Sequence, residues 1–271
     1  MEKFSVLMSV YKNEKAEYMK LALESIYTDQ TLKPNEIILV QDGPLTEELY
    51  ELIDEYKEKY KEILKTIPLE KNVGLGNALN IGLEHCSYEL VARMDTDDIA
   101  FSKRFENQIS YMNKHKEVGV LGSSLLEFEG SIENILAEKI APIDNIEKYI
   151  KFRNPINHPT VVFRRSEVLK VGSYKEINLF EDYYLWARMF VNGSEIANLG
   201  EPLLYFRSSI ETYERRGGMK YVKSEIKFQN EILKLGLINR TEYIKNLIIR
   251  NLGKIVPNKV RKLLYFKLLR K

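Results

Sequence analysis

Short uninterrupted apolar runs alternate along the first hundred residues with segments whose apolar side chains recur at helical spacing. The runs are Phe4–Val10 (FSVLMSV), Glu36–Val40 (EIILV) and Leu90–Met94 (LVARM). Consecutive apolar positions suit a strand buried on both faces, which is the habit of parallel sheets. Between the first two runs, Tyr18, Leu21, Ala22, Ser25 and Ile26 form a helical stripe that Pro34 ends. Residues 46–65 place Leu49, Leu52, Ile53, Tyr56, Tyr60, Ile63 and Leu64 on a second stripe. Thr66–Leu69 is predicted as a third strand and Gly74–Glu84 as a helix. The order strand, helix, strand, helix predicts a doubly wound, mostly parallel α/β sheet with helices on both faces. In such sheets ligands lie outside the carboxyl ends of the strands. Ser9-Val10-Tyr11, Gln41-Asp42-Gly43 and Asp95-Thr96-Asp97-Asp98 all fall at those ends, so topology alone predicts a shared crevice.

The second half is less regular. Val118–Phe128 and Thr160–Arg164 read as strands, Tyr183–Val191 as a helix, and the chain turns helical from about Lys220. The predicted division is a domain over 1–219 and a helical, basic C-terminal extension over 220–271. The 271 residues, 44% hydrophobic and 11% aromatic, supply a sizeable core. A net charge of +2 from 41 basic and 39 acidic side chains argues against a nucleic-acid binder. The single Cys86 excludes an internal disulfide and fits a reducing compartment. His85, His115 and His158 lack the spacing of a zinc site. The N-terminal apolar stretch is too short for a signal peptide, and no window approaches a membrane span, which predicts a cytoplasmic chain.

Charge density marks the chemistry. Asp95, Asp97 and Asp98 place three carboxylates in four positions at the end of a strand. Oxygen ligands so spaced suit a hard divalent cation that keeps open positions for phosphate oxygens. Capping of a helix starting near Ser102 needs one aspartate and leaves two unexplained. A calcium loop fails because Ile99, Ala100 and Phe101 offer no oxygen side chains. NVGLGNALNIG lacks the third glycine of a dinucleotide fingerprint, having Leu79 there, and no phosphate loop or GxSxG elbow occurs. Glu181-Asp182 precedes the predicted helix with Leu185, Trp186 and Met189; helix capping and general-base chemistry are both open to the pair.

SVYKNE, EIILVQDGP, NVGLGNALNIG, ARMDTDD, NPINHPTVVFRR and FEDYYLWARM, in that order, resemble family 2 glycosyltransferases of the GT-A fold. The resemblance covers about residues 3–210 and is strongest to the non-processive bacterial branch that builds capsule, O-antigen and exopolysaccharide. It implies that Ser9, Tyr11, Glu14 and Asp42 cup the base and ribose of the donor, although Gln41 stands where many members carry a base-binding aspartate. Asn72 and Asn77 fall where the family contacts the nucleotide or its sugar; a turn and a helix start explain them equally well. Asp95-Thr96-Asp97 matches the family's DxD signature, which implies Asp97 as ligand of Mn2+ or Mg2+ and Asp95 on the ribose or the metal shell. Arg93 has two readings, steering phosphate or pairing with Asp95. Asp182 is implied as the general base, with Glu181 supporting it or orienting the acceptor. His158 touches acceptor or diphosphate on one reading and serves turn structure beside Pro155 and Pro159 on the other. Arg215 and Arg216 belong to a diphosphate-closing loop or to a solvated basic loop.

After Glu242 the chain carries no acid and nine basic residues. Val256, Val260, Leu263, Leu264 and Leu268 recur at helical spacing within that tail, predicting a basic helix at an anionic membrane or one packed on protein. The resulting expectation is an inverting, metal-dependent enzyme at the inner face of the cell membrane. It would move a hexose or N-acetylhexosamine from a UDP-sugar to a polyprenyl-linked saccharide, with a homo-oligomer possible. The rivals are a silent nucleotide-sugar-binding scaffold and a nucleotidyltransferase, the latter lacking its glycine-rich loop after the first strand.

Overall fold

The computed structural model describes residues 1–208 and 218–252. Strands β1 (Phe4–Val10), β2 (Glu36–Gln41), β3 (Leu64–Pro68) and β4 (Leu90–Arg93) pair in the order β3-β2-β1-β4, all parallel. Their continuous apolar character has the expected cause. Alternate side chains of β1 and β2 enter two separate cores, Leu7, Ile38 and Val40 on one face and Val6, Met8, Ile37 and Leu39 on the other. Helices α1 (Ala16–Ile26), α2 (Glu47–Tyr60) and α4 (Arg104–Lys114) cover the second face. Helices α3 (Leu75–His85), α7 (Glu181–Val191) and α8 (Gly218–Lys234) cover the first.

Beyond β4 the sheet becomes mixed. It continues through β8 (Val162–Arg164), β6 (Val118–Glu129), β9 (Glu195–Arg207) and the two-residue β5 (Ile99–Ala100), with β7 (Ser131–Lys139) paired to β6. The β4–β8, β8–β6, β6–β7 and β5–β9 pairs are antiparallel, whereas β6–β9 is parallel. Several boundaries differ from the sequence reading. Lys61 takes φ 50 and ends α2, so Ile63 falls in a 3-10 turn and Leu64 opens β3. His158–Thr160 form a 3-10 turn ahead of β8. Helix α4 starts at Arg104, two residues beyond Ser102. Short helices α5 (Ile146–Tyr149) and α6 (Arg165–Lys170) complete the unit.

Helix α8 packs Phe228 onto Phe180 and Tyr183, with ring centroids 4.9 and 4.4 Å away. The last described helix, α9 (Arg240–Leu252), is tied down by polar groups. Arg250 pairs with the fully buried Glu225 at 2.5 and 3.1 Å. Arg250 also donates to the Phe152 carbonyl at 2.5 Å, and Asn246 donates to that of Lys151 at 2.9 Å. The 150s segment is thereby fixed from behind.

Candidate active site

At the carboxyl end of β4, the Arg93 guanidinium is 2% exposed and forms a two-pronged ion pair with Asp95. Of its two sequence readings, the pairing one is observed. Arg104 donates to the Arg93 carbonyl at 2.7 Å and to Gln108 at 3.2 Å, which braces the strand end from inside the core. Burial and the neighbouring Arg93 charge lower the Arg104 guanidinium to about 9. Asp97 lies half-buried and, among the described residues, forms no ion pair. Burial first, then the charges of Asp95 and Glu14, push its carboxyl up to about 7. Asp98 is fully buried; one oxygen accepts from the Arg207 backbone N–H at 2.8 Å and the other has no hydrogen-bond partner among the described residues. Burial, followed by Asp97 and Asp95, holds it well above the usual carboxylate range.

Oxygens of Asp95, Asp97 and Asp98 lie within 4.8 Å of one another. An orphaned buried carboxylate oxygen beside a half-buried, destabilised one, with only hard oxygen donors, fits Mg2+ or Mn2+. Helix capping does not explain the cluster. The N-cap of α4 is Lys103, whose side chain makes no capping bond, and the first-turn Phe105 N–H is met by Gln30 Oε1 at 3.3 Å rather than by an aspartate.

Arg207, at the end of β9, fastens this corner. Its Nε donates to the Asp97 carbonyl at 2.9 Å, and its guanidinium lies between the rings of Tyr18 (3.8 Å) and Phe128 (4.5 Å). Glu14 reaches the same loop, accepting from Thr96 Oγ1 at 2.5 Å. Ser9 and Tyr11 sit at the β1 end, Ser9 half-buried and Tyr11 exposed.

Asp42, 4% exposed, serves a neighbouring loop. Its carboxylate accepts from the Val73 and Gly74 N–H groups at 2.7 and 3.1 Å and from Asn72 Nδ2 at 2.9 Å. The approach requires Gly43. With φ +86, a Cβ there would lie 2.6 Å from the Asn72 nitrogen. Asn72 is therefore partly committed to structure, and Asn77 donates to the Val73 carbonyl at 3.0 Å.

The same loop leads into α3, where Gly76 faces Glu181. Glu181 and Asp182 occupy the first turn of α7, where the helix dipole favours a carboxylate. Asp182 accepts from the Tyr183 N–H at 2.7 Å and from Asn154 Nδ2 at 2.8 Å. Burial nevertheless raises its carboxyl, opposed by those two bonds and by the Lys139 and Arg93 charges. Glu181 is raised as well, mainly by burial. A carboxyl so poised can take a proton from a hydroxyl near neutral pH. His158 bonds Tyr174 Oη at 2.9 Å and packs on the rings of Tyr174 and Trp186. Burial and the Arg93 charge hold it well below the usual imidazole range, so it is neutral. The Arg93 charge thus acts on carboxylates of both the DTDD loop and the Glu181-Asp182 pair.

Asn154, Tyr174 and Arg207 are site residues that the sequence reading gave no role. Asn154 lies in the quoted NPINHP segment, which was a usable signal; Arg207 and Tyr174 had none. Arg215, Arg216 and the basic tail from Gly253 lie outside the described residues.

The profile described as glycosyl transferase family 2 matches residues 5–172. A UDP-Gal:alpha-D-GlcNAc-diphosphoundecaprenol beta-1,3-galactosyltransferase of Escherichia coli is 40% identical over 270 residues, 99% of this chain and 97% of that protein. The amylovoran biosynthesis glycosyltransferase AmsE of Erwinia amylovora is 40% identical over 267 residues, 97% and 98% of the two chains. The fold is shared with S. aureus TarS 1-349 in complex with UDP-GlcNAc (TM-score 0.69, 20% identity, 98% of this chain and 77% of that one).

Proposed function

This chain belongs to glycosyl transferase family 2 and is a glycosyltransferase, and from that premise we propose that it moves a hexose or N-acetylhexosamine from a UDP-sugar to a hydroxyl of a lipid-linked saccharide in bacterial surface polysaccharide synthesis. The reading is carried by two unlike carboxylate groups, both under the charge of the buried Arg93. One is the oxygen-only cluster of Asp95, Asp97 and Asp98; the other is the buried but hydrogen-bonded Asp182. The substrates in the E. coli relative's name make UDP-galactose the first donor to test and a diphosphoundecaprenol-linked sugar the acceptor class.

Asp97, with Asp95 and Asp98, would hold Mn2+ or Mg2+. Such a cation, when bound, offsets the charge that develops on a departing nucleoside diphosphate. Arg93 holds Asp95 in place. Ser9, Tyr11 and Glu14 line the β1 end for the base and ribose, and Asp42 shapes the Asn72–Gly74 loop that borders the donor. Asp182 takes the proton of the acceptor hydroxyl as the new C–O bond forms, in one displacement that inverts the anomeric centre. Glu181, beside it, orients the acceptor, and neutral His158 buttresses that wall. The enzyme works at the inner face of the membrane, where its acceptor is anchored. The basic residues after Glu242 support that location.

Incubating the protein with UDP-galactose and Mn2+ and a short-chain GlcNAc-diphosphate lipid, then determining the anomeric configuration by NMR, tests this reading. A β-linked disaccharide whose formation stops with EDTA is expected. An α-linked product, or no transfer from any UDP-sugar, refutes it.

A further inference from the structure

Three consecutive backbone carbonyls ahead of Asn154 are each met by a side chain from another element. Tyr183 Oη donates to Ile150 at 2.6 Å, Asn246 Nδ2 to Lys151 at 2.9 Å and Arg250 Nη1 to Phe152 at 2.5 Å. Just beyond Asn154, the Pro155 carbonyl accepts from Asn198 Nδ2 at 3.0 Å. Asn154 itself donates to Asp182, which also accepts from the Tyr183 N–H. The contacts close on themselves, running from Asp182 through Tyr183 and the 150–154 segment back to Asp182.

Arg250 is the member of this ring held from furthest away. Its Nε and Nη2 donate to the two oxygens of the fully buried Glu225 at 2.5 and 3.1 Å. Gln229 donates to the same carboxylate at 3.0 Å and accepts from Asn246 at 3.0 Å, so the two donors of α9 are tied to one another. Taking an ion pair out of water costs much of what its attraction returns, so Glu225 and Arg250 add little stability as a pair. What the pair fixes is direction, because a planar guanidinium held at two corners aims the third. That third corner is Nη1, on the carbonyl of Phe152, two residues from Asn154. We propose that Arg250, aimed by Glu225, is a positioning residue for Asp182, acting through the 150–154 segment and the Asn154 amide.

Among the described residues, the charged and titratable groups facing Asp182 are Glu181 and Tyr183 on its own helix, Arg93 from β4, Lys139 from β7 and Tyr174 from the loop ahead of α7. Arg250 faces Glu225 and Tyr183 instead, its Cζ lying 5.8 Å from the Tyr183 ring centroid. A change at Arg250 therefore reaches the Asp182 carboxyl by displacing its hydrogen-bond donor, with Arg93 and Lys139 left in place. The positioning does not depend on the proposed activity; its effect on rate rests on the reading of Asp182 as the general base.

The experiment uses the full chain and two substitutions. Arg250→Lys keeps a cation for Glu225 but has one donor centre, which cannot span Glu225 and the Phe152 carbonyl together. Asn246→Ala removes the contact to Lys151 without leaving a buried charge unpaired, and decides the matter if Arg250→Lys does not fold. Two readouts are taken: titration of the Asp182 carboxyl by 13C NMR, assigned by its absence in Asp182→Asn, and the pH dependence of kcat/KM for transfer from UDP-galactose to the GlcNAc-diphosphate lipid. If each substitution forfeits about half of the Asn154 hydrogen bond, the proton affinity of Asp182 rises about three- to tenfold and the acid limb moves to higher pH by the same factor. In an Asn154→Ala background neither substitution should move it further. A purely structural role would lower the melting temperature and leave the carboxyl titration in place. That result, or a shift that adds in full to the one from Asn154→Ala, overturns the proposal. A carboxyl that shifts while the acid limb stays would refute Asp182 as the base and leave the positioning standing.

Discussion

Asn154→Ala should move the pH dependence of the reaction more than its maximum rate. The Asn154 amide donates to Asp182 Oδ2 at 2.8 Å, and its own oxygen accepts from the Ile156 N–H at 3.1 Å, which fixes the direction it faces. A hydrogen bond to a charged group contributes about 1.5–3 kcal/mol. This one favours the ionised carboxylate over the neutral acid, so its loss displaces the protonation equilibrium by about ten- to a hundredfold toward the acid form. Burial already raises Asp182, opposed by Tyr183 N–H, Asn154, Lys139 and Arg93. Removing one opponent raises it further. A general base works ionised, and activity is lost as pH falls through its pKa. The acid limb of kcat/KM should therefore move to higher pH. The variant would be about ten- to a hundredfold slower on the acid side and close to wild type at the alkaline plateau. Steady-state transfer from a UDP-sugar across pH reads this directly, with a melting curve to check folding. A uniform loss at all pH values, or an acid limb that does not move, would refute the assignment of Asn154 as the residue that poises Asp182.

Three further outcomes follow from the same geometry. Asp97 is raised in the fold from 3.8 to about 7; a carboxyl raised on folding stabilises the protein below its unfolded pKa and loses that contribution as pH rises through the folded one. Without metal the melting temperature should fall between about pH 4 and 7, Mn2+ should restore it, and Asp97→Asn should flatten both responses. Gly43→Ala forces a side chain into a left-handed turn against the Asn72 backbone, at a cost above about 2 kcal/mol. It should weaken donor binding in calorimetry while leaving the acceptor-side pH profile unchanged. Arg207→Lys gives up the Nε bond to the Asp97 carbonyl and the stacking between Tyr18 and Phe128, about 2 kcal/mol together. Lower metal affinity at unchanged charge would confirm that Arg207 acts through loop position; unchanged affinity would refute it.

The strands buried on both faces were legible because parallel sheets leave continuous apolar runs, as in β1 and β2. In the second half β6 and β8 were legible as apolar runs, whereas β5, β7 and β9 were hidden for physical reasons. β7 is exposed along almost its whole length, so no alternation marks it. β9 carries Gly200 and Pro202, residues that read as a turn, and spans them with irregular register against β6. β5 has only two residues. In the site, Asp95, Asp97, Asp98 and Asp182 stood out because like charges gather only for a reason. Asn154 and Arg207 did not, since their roles come from partners 28 and 110 positions away in the chain. Asp42 was legible as a strand-end residue implied to contact the donor; that its carboxylate also builds the Asn72–Gly74 loop was not.

The central claim is that the two carboxylate corners do separate work, and one paired measurement addresses it: UDP-sugar affinity with Mn2+, and transfer rate, for wild type, Asp97→Ala and Asp182→Ala. Asp97→Ala should lose the metal-dependent part of donor binding, and Asp182→Ala should bind donor as the wild type does while transfer falls by at least about a hundredfold. Undiminished transfer by Asp182→Ala, or metal-dependent donor binding that survives Asp97→Ala, would contradict the account.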